Sequence, residues 1–200
     1  VLIPRSETEQ VVEKAIEQLI MNQDKAQRVI DIGTGSGAIA LVIAANIENV
    51  EVLALDISNG SLDVAKHNYE NLKANLASGS KVIFQRSDCF NNVDREHLEK
   101  YDLIISNPPY IGEDEKETLE DSVKEYEPHI ALFADDEGFA IYERIIIESV
   151  NWLKRGGYLV LEIAPRHVDK TKEFMEHCDY SDIQILKDLA GRDRIAIAKS

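Results

Sequence analysis

Asp31-Ile32-Gly33-Thr34-Gly35-Ser36-Gly37 is the stretch on which the fold turns. It stands between a short β-prone run, Arg28 to Ile32, and Ala38 to Ile47, an apolar helix too hydrophobic to be exposed. Strand, tight turn and buried helix in that order open a βαβ unit. The glycines let backbone approach a ligand where a Cβ would collide. Taken alone, the turn is open among three readings: a nucleoside-donor loop, a dinucleotide loop, or a turn that serves only packing.

The pattern continues outward in both directions. Upstream, Ser6 and Glu9 have capping-box spacing, and Val11, Val12, Ala15, Ile16 and Leu19 recur at helical period, so a helix opens the chain. Downstream come strand Glu51 to Leu55, a helix from Ser61 to Ala74, strand Lys81 to Gln85, a polar linker and strand Tyr101 to Ser106. Ile141, Ile145, Ile146 and Val150 mark a helix between Phe139 and Leu153, which Gly156-Gly157 is expected to stop before strand Tyr158 to Ile163. After a helix from His167 to His177, the β-rich runs Asp182 to Lys187 and Arg194 to Ala198 are joined by Asp188 to Asp193 alone. That connection is too short for a parallel crossover and predicts an antiparallel hairpin. The expected fold class is α/β and Rossmann-like: a seven-stranded, mostly parallel sheet with a C-terminal antiparallel hairpin and helices on both faces. One domain is expected over residues 1–200, a leading helix to 25 and the Rossmann-like core from 26.

Composition narrows the function. Against 22 Lys and Arg stand 37 Asp and Glu, and the net charge of −15 would repel a polyanion, which disfavours a nucleic-acid substrate. No apolar run approaches the roughly 20 residues a membrane helix needs, and Val1 to Gln10 is no secretory signal, so a soluble protein is expected. Cys89 and Cys178 fit neither a disulfide framework nor a zinc cluster, and the five histidines show no metal spacing; a cytoplasmic, metal-free monomer is the expectation. Trp152 and the Ile145 to Ile147 run are expected in the core. The opening on Val1 without a methionine suggests a fragment of a longer chain.

Three acids refine the glycine loop. Asp56 ends the second strand about 20 residues on, where a carboxylate accepts both ribose hydroxyls, the alternative being an exposed strand-end acid. Asp88, just after the third strand, lies within reach of an adenine amino group and reads equally as a turn cap. Asp31 precedes glycines spaced Gly33, Gly35, Gly37, whereas the dinucleotide fingerprint is Gly-x-Gly-x-x-Gly and Ala38 occupies its third glycine. A ligand with an ammonium group would find partners in Asp31 and the Gly33 carbonyl, whereas a pyrophosphate seeks helix amides. The expected cofactor is S-adenosyl-L-methionine, leaving as S-adenosyl-L-homocysteine. Its expected contacts are Asp31, Gly33, Thr34, Gly35, Ser36, Gly37, Asp56, Ile57, Asp88 and Asn107.

Asn107-Pro108-Pro109-Tyr110 follows the fourth strand, in the crevice beyond the carboxyl ends where open α/β sheets bind ligands. Two prolines fix φ and remove two donors, leaving the Pro108 carbonyl and the Asn107 side-chain oxygen to accept both hydrogens of a planar NH₂ group. Tyr110 could stack on that group and aim its nitrogen at a sulfonium methyl. The plainer reading is a rigid turn. The acidic stretch Glu113 to Glu127 is a solvated helix or loop, placed where a substrate lid would sit.

With these residues in view, the chain resembles the HemK/PrmC family, the peptide chain release factor glutamine methyltransferases, along nearly its whole length. The landmarks are Val1 to Arg5 with Glu7-Thr8-Glu9, Asp31 to Gly37, Ser87-Asp88, Ile105 to Ile111, Tyr126-Glu127-Pro128, Gly156-Gly157, Glu162-Ile163 and Asp188 to Arg194. The resemblance implies methylation of the side-chain amide nitrogen of the glutamine in the Gly-Gly-Gln loop of class 1 release factors. It places the donor on Gly33 to Gly37 and Asp56, the glutamine on Asn107 to Tyr110, and Arg5 at the entrance. It also implies a helical domain ahead of this segment. Departures are Ser6 where proline is common, Cys89 for an aromatic beside the adenine, and Ala164-Pro165 with His167 for a glycine and glutamine. Rival expectations are a ribosomal-protein glutamine, an adenine N6 or guanine N2 amine in nucleic acid, and a donor-binding interaction domain without turnover.

Overall fold

In a computed structural model, which describes residues 6–21, 25–109 and 138–200, the expected alternation appears element by element. Helix α1 (Ser6–Ile20) is followed by β1 (Gln27–Ile32), α2 (Ala38–Asn46), β2 (Val50–Asp56), α3 (Asn59–Leu72), β3 (Lys81–Arg86) and β4 (Tyr101–Ser106). Then come α4 (Ala140–Ser149), β5 (Leu153–Glu162), α5 (Val168–His177), β6 (Ser181–Lys187) and β7 (Asp193–Lys199). Seven strands form one sheet in the order β3-β2-β1-β4-β5-β7-β6. β1 to β5 are parallel, while β7 runs antiparallel to both β5 and β6, as the short connection requires.

Burial on both faces explains the continuous apolar character of the inner strands. Alternate residues face opposite ways: Ile30, Ile32, Leu53, Leu55, Ile104, Leu159 and Leu161 meet Tyr142, Ile145 and Ile146 of α4 and Met175 of α5. Val29, Val52, Ala54, Leu103, Ile105 and Val160 meet Val11, Val12, Ala15 and Leu19 of α1 together with Ile39, Ala40, Ile43 and Ala44 of α2. Trp152 belongs to the first cluster, stacked on Phe90 at 5.4 Å, whereas Ile147 faces outward and is 44% exposed. Of α2, Val42 alone among its large side chains is well exposed.

One expectation is corrected. Gly156-Gly157 does not stop a helix: α4 ends at Ser149, and β5 runs through both glycines. A Cβ on Gly157 would lie 3.0 Å from the carbonyl oxygens of Lys154 and Tyr101 and 3.1 Å from that of Asp102, so only glycine lets β4 and β5 approach here. Gly156 takes φ +82, and the β4–β5 register shifts between Tyr101 and Leu103. The pair makes a bulge.

From β1 the sheet grows through β2 and β3 to one side and through β4 and β5 to the other. The order therefore reverses between β1 and β4, and a crevice opens beyond their carboxyl ends.

Candidate active site

Ile32 pairs with Ser106 in the β1–β4 register, and the Ser106 hydroxyl donates to the Ile32 carbonyl at 2.8 Å. Gly33 and Asn107 are the next residues on those adjacent strands, so the glycine loop and the Asn-Pro-Pro segment leave the sheet side by side. On the flanks, Leu55 pairs with Ile32 and Ser106 with Leu161, which puts Asp56 and Glu162 at the same level. Four strand ends thus converge on one crevice.

The glycine loop is held from three sides. Thr34 N–H donates to the Leu55 carbonyl at 2.8 Å, Gly35 N–H to Asp56 Oδ2 at 2.9 Å, and Asn68 of α3 to the Ser36 carbonyl at 2.9 Å. Gly33, Gly35 and Gly37 all have positive φ, at 71°, 57° and 80°. They differ in surroundings: a Cβ on Gly37 would sit 3.1 Å from Ala65 Cβ, whereas nothing lies within 4 Å of one on Gly33. The last glycine serves packing against α3 and the first borders open space.

The acids around the loop are distinct electrostatically. Asp31 is fully buried; Thr34 donates its hydroxyl to Oδ2 at 2.6 Å, while Oδ1 makes no hydrogen bond of good geometry, although the nearby Ala40 N–H favours the anion. Burial pushes its carboxyl from 3.8 up to about 7, with repulsion from Asp56 adding to the rise. Asp56 accepts one N–H on each oxygen, Gly35 on Oδ2 and Ser58 on Oδ1 at 2.8 Å, which leaves further lone pairs on both. Ile57 follows with 43% exposure, an apolar surface beside that carboxylate. The open space at Gly33, the half-used Asp56 carboxylate, apolar Ile57 and the charge of Asp31 fit a nucleoside with a cationic end.

Asp88 leaves β3 on the far flank. Arg144 of α4 donates to its Oδ1 at 2.6 Å and to its carbonyl at 2.9 Å, and Asn91 donates to Oδ2 at 3.2 Å. Cys89 is buried with φ +46, and burial pushes its thiol up to about 11, so near neutral pH it presents an uncharged, weakly polar wall.

Asn107 is half-buried, Pro108 buried and Pro109 half-buried. Asn107 Nδ2 donates to Thr8 Oγ1 at 3.1 Å, and Thr8 donates to Glu162 Oε2 at 2.8 Å. Thr8 and Glu162 are 7% and 2% exposed. Sequence reasoning set out Thr8 and Glu162 as landmarks and gave them no role; the signal available was an acid ending an inner strand, the same signal that singled out Asp56. Nothing in the sequence pointed to Asn68 or Arg144. Arg5, Tyr110, the acidic stretch 113–127 and Tyr126-Glu127-Pro128 lie outside the described residues. Among the described residues no cluster of His, Cys, Asp and Glu suits a metal ion, and no helix is long and apolar enough to cross a membrane.

Comparison with known proteins identifies the family and the fold. The family model described as "Methyltransferase small domain" matches residues 9–125. A release factor glutamine methyltransferase of Rhodopirellula baltica is 40% identical over 198 residues, covering 98% of this chain and 65% of that protein. One of Enterococcus faecalis is 40% identical over 199 residues, covering 99% of this chain and 68% of that protein. The chain therefore spans about two thirds of the length of these relatives. Among solved structures, a release-factor-specific protein-(glutamine-N5) methyltransferase of Alicyclobacillus acidocaldarius superposes with a TM-score of 0.58 at 26% identity, covering 98% of this chain and 93% of that one.

Proposed function

The chain belongs to the release factor glutamine methyltransferase family, and from that membership and the geometry at Asn107 we propose that it methylates the side-chain amide nitrogen of the glutamine in the Gly-Gly-Gln loop of a class 1 release factor. The methyl donor is S-adenosyl-L-methionine, which supplies an electrophilic methyl group on a sulfonium. Asp56 holds the ribose hydroxyls through its remaining lone pairs, Ile57 and Cys89 form apolar walls for the base, and Asp88 receives the adenine amino group. The Gly33 carbonyl and the field of Asp31 favour the cationic end of the donor.

The observation that carries the reading is the direction of the Asn107 amide: one N–H of its NH₂ donates to Thr8, which turns that end of the amide toward Thr8 and leaves its oxygen to accept. Asn107 Oδ1 and the Pro108 carbonyl together accept the two N–H hydrogens of the glutamine amide. An amide nitrogen is a poor nucleophile because its lone pair is delocalised; two fixed acceptors hold that lone pair in line with the methyl group. They bind more strongly as the nitrogen gains positive charge, and this stabilises the transition state over the ground state. The N–C bond forms as the C–S bond breaks, S-adenosyl-L-homocysteine leaves as the neutral sulfide, and the methylated nitrogen releases one of its two protons to solvent. Tyr110 and Arg5 are the proposed stacking and entrance residues.

The net charge of −15 supports a protein acceptor over nucleic acid, and the reading places the chain, as a monomer, in the cytoplasm where termination occurs. Labelled donor incubated with an unmethylated release factor, its Gln→Ala variant, a ribosomal-protein acceptor and duplex DNA tests this. Label on the release factor that disappears in the variant is the expected result; label on DNA or the ribosomal protein, or on the variant equally, refutes it.

A further inference from the structure

The two ends of the Asn107 side chain are nearly the same shape and opposite in hydrogen-bonding sense, so something must fix which end faces the acceptor. Thr8 has one hydroxyl proton, and it goes to Glu162 Oε2 at 2.8 Å. The carboxylate oxygen is the acceptor in that bond, so Glu162 fixes where the Thr8 proton points. The Thr8 oxygen then has only lone pairs to offer Asn107, and Nδ2 meets them at 3.1 Å. The Oδ1 atom is turned away from Thr8 as a consequence. We propose that Thr8 and Glu162 are positioning residues that set the polarity of the acceptor site, making it select a nitrogen that carries hydrogen. The selection of acceptor rests on the reading of Asn107 given above; the orientation of the amide does not.

Low exposure at both residues protects the relay from competing water, which would otherwise offer either end of the amide a partner. The three members come from α1, the residue after β4 and the end of β5, so docking of α1 on the sheet completes the acceptor site as well as covering the core. Glu162→Gln keeps the shape and makes the direction ambiguous, because the glutamine amide can donate to Thr8 or accept from it. Thr8→Val keeps the shape and removes the link.

The test has two independent readouts. In the free protein, the Asn107 side-chain amide is followed by nitrogen-15 NMR; in turnover, kcat and the donor Kd are measured with a Gly-Gly-Gln release factor. Thr8→Val is expected to move the Asn107 amide resonances, with Thr8→Ser restoring them. It is also expected to lower kcat about 10- to 100-fold, with donor Kd little changed. The double variant Thr8→Val with Glu162→Gln is expected to be no slower than Thr8→Val, since both act through one chain. Amide resonances insensitive to Thr8→Val, or additive losses in the double variant, overturn the proposal. A wild-type protein that transfers to no amide, yet shows the Thr8-dependent resonances, overturns the acceptor assignment and leaves the orientation of Asn107 supported.

Discussion

Thr8 and Glu162 are 154 residues apart in sequence and 2.8 Å apart in space, and Asn107, the residue after β4, donates to Thr8. A helix ahead of the glycine loop and a strand well beyond it thus meet at the side chain of Asn107. Asn107 is half-buried and its amide is used outward, so Asn107→Ala should abolish transfer while leaving donor affinity within a few fold and the fold intact. Paired transfer assays and calorimetric titration of the donor check this; a parallel collapse of donor binding would show that Asn107 serves the cofactor instead.

Asp31 gives the protein a pH signature, and with it the proposed donor site. Its carboxyl ordinarily titrates at 3.8 and in the fold at about 7, so the folded state holds a proton that the unfolded chain has released. Its contribution to stability should therefore fall as pH rises from about 4 to 7 and then level off. A bound cationic donor favours the anion, so donor affinity should rise a few fold across neutral pH with release of a proton. Asp31→Asn should flatten both profiles, measured by thermal melts and by titrations in buffers of different ionisation enthalpy.

The first and last glycines of the loop should respond differently to alanine. Both have positive φ, at a cost of about 1–2 kcal/mol for a Cβ. At Gly37 the new methyl also meets Ala65 at 3.1 Å, so Gly37→Ala should lose the greater stability. At Gly33 the methyl enters open space in the donor site, so Gly33→Ala should lose donor affinity out of proportion to its stability. Denaturant melts beside donor titrations separate the two.

Gly157→Ala should be among the most damaging single changes far from the site. Its Cβ would meet three carbonyl oxygens at 3.0–3.1 Å, all backbone, so β4 and β5 would have to part. A loss of about 2–4 kcal/mol is expected in equilibrium unfolding. Gly156→Ala meets only the Lys199 side chain at 3.6 Å and should lose only what its φ of +82° costs.

These contrasts mark what the sequence could reveal. Two-sided burial writes itself into apolar runs such as Val52 to Leu55 and Leu103 to Ile105, so the strands and their succession along the chain could be read locally. The hairpin followed from a connection too short for any crossover. The glycine loop and Asn107 were legible because chemistry confines their residue types to strand ends. What escaped was pairing between distant segments: Gly157 looks like a helix stop until the Tyr101 carbonyl is beside it. Arg144 looks like an ordinary helix surface cation until Asp88, 56 residues earlier, accepts from it. Thr8 and Glu162 had no local signature of a relay, and burial of Asp31 deep enough to move its titration is a property of the assembled fold and not of its neighbours in sequence.

The most direct measurement is fragment mass mapping of a release factor after incubation with this protein and S-adenosyl-L-methionine, locating the residue and atom that gain the methyl group. A single methyl on the side-chain amide nitrogen of the Gly-Gly-Gln glutamine is the predicted result. A methyl on a carboxylate, a lysine or another glutamine, or none despite demonstrated donor binding, would contradict the role assigned to Asn107.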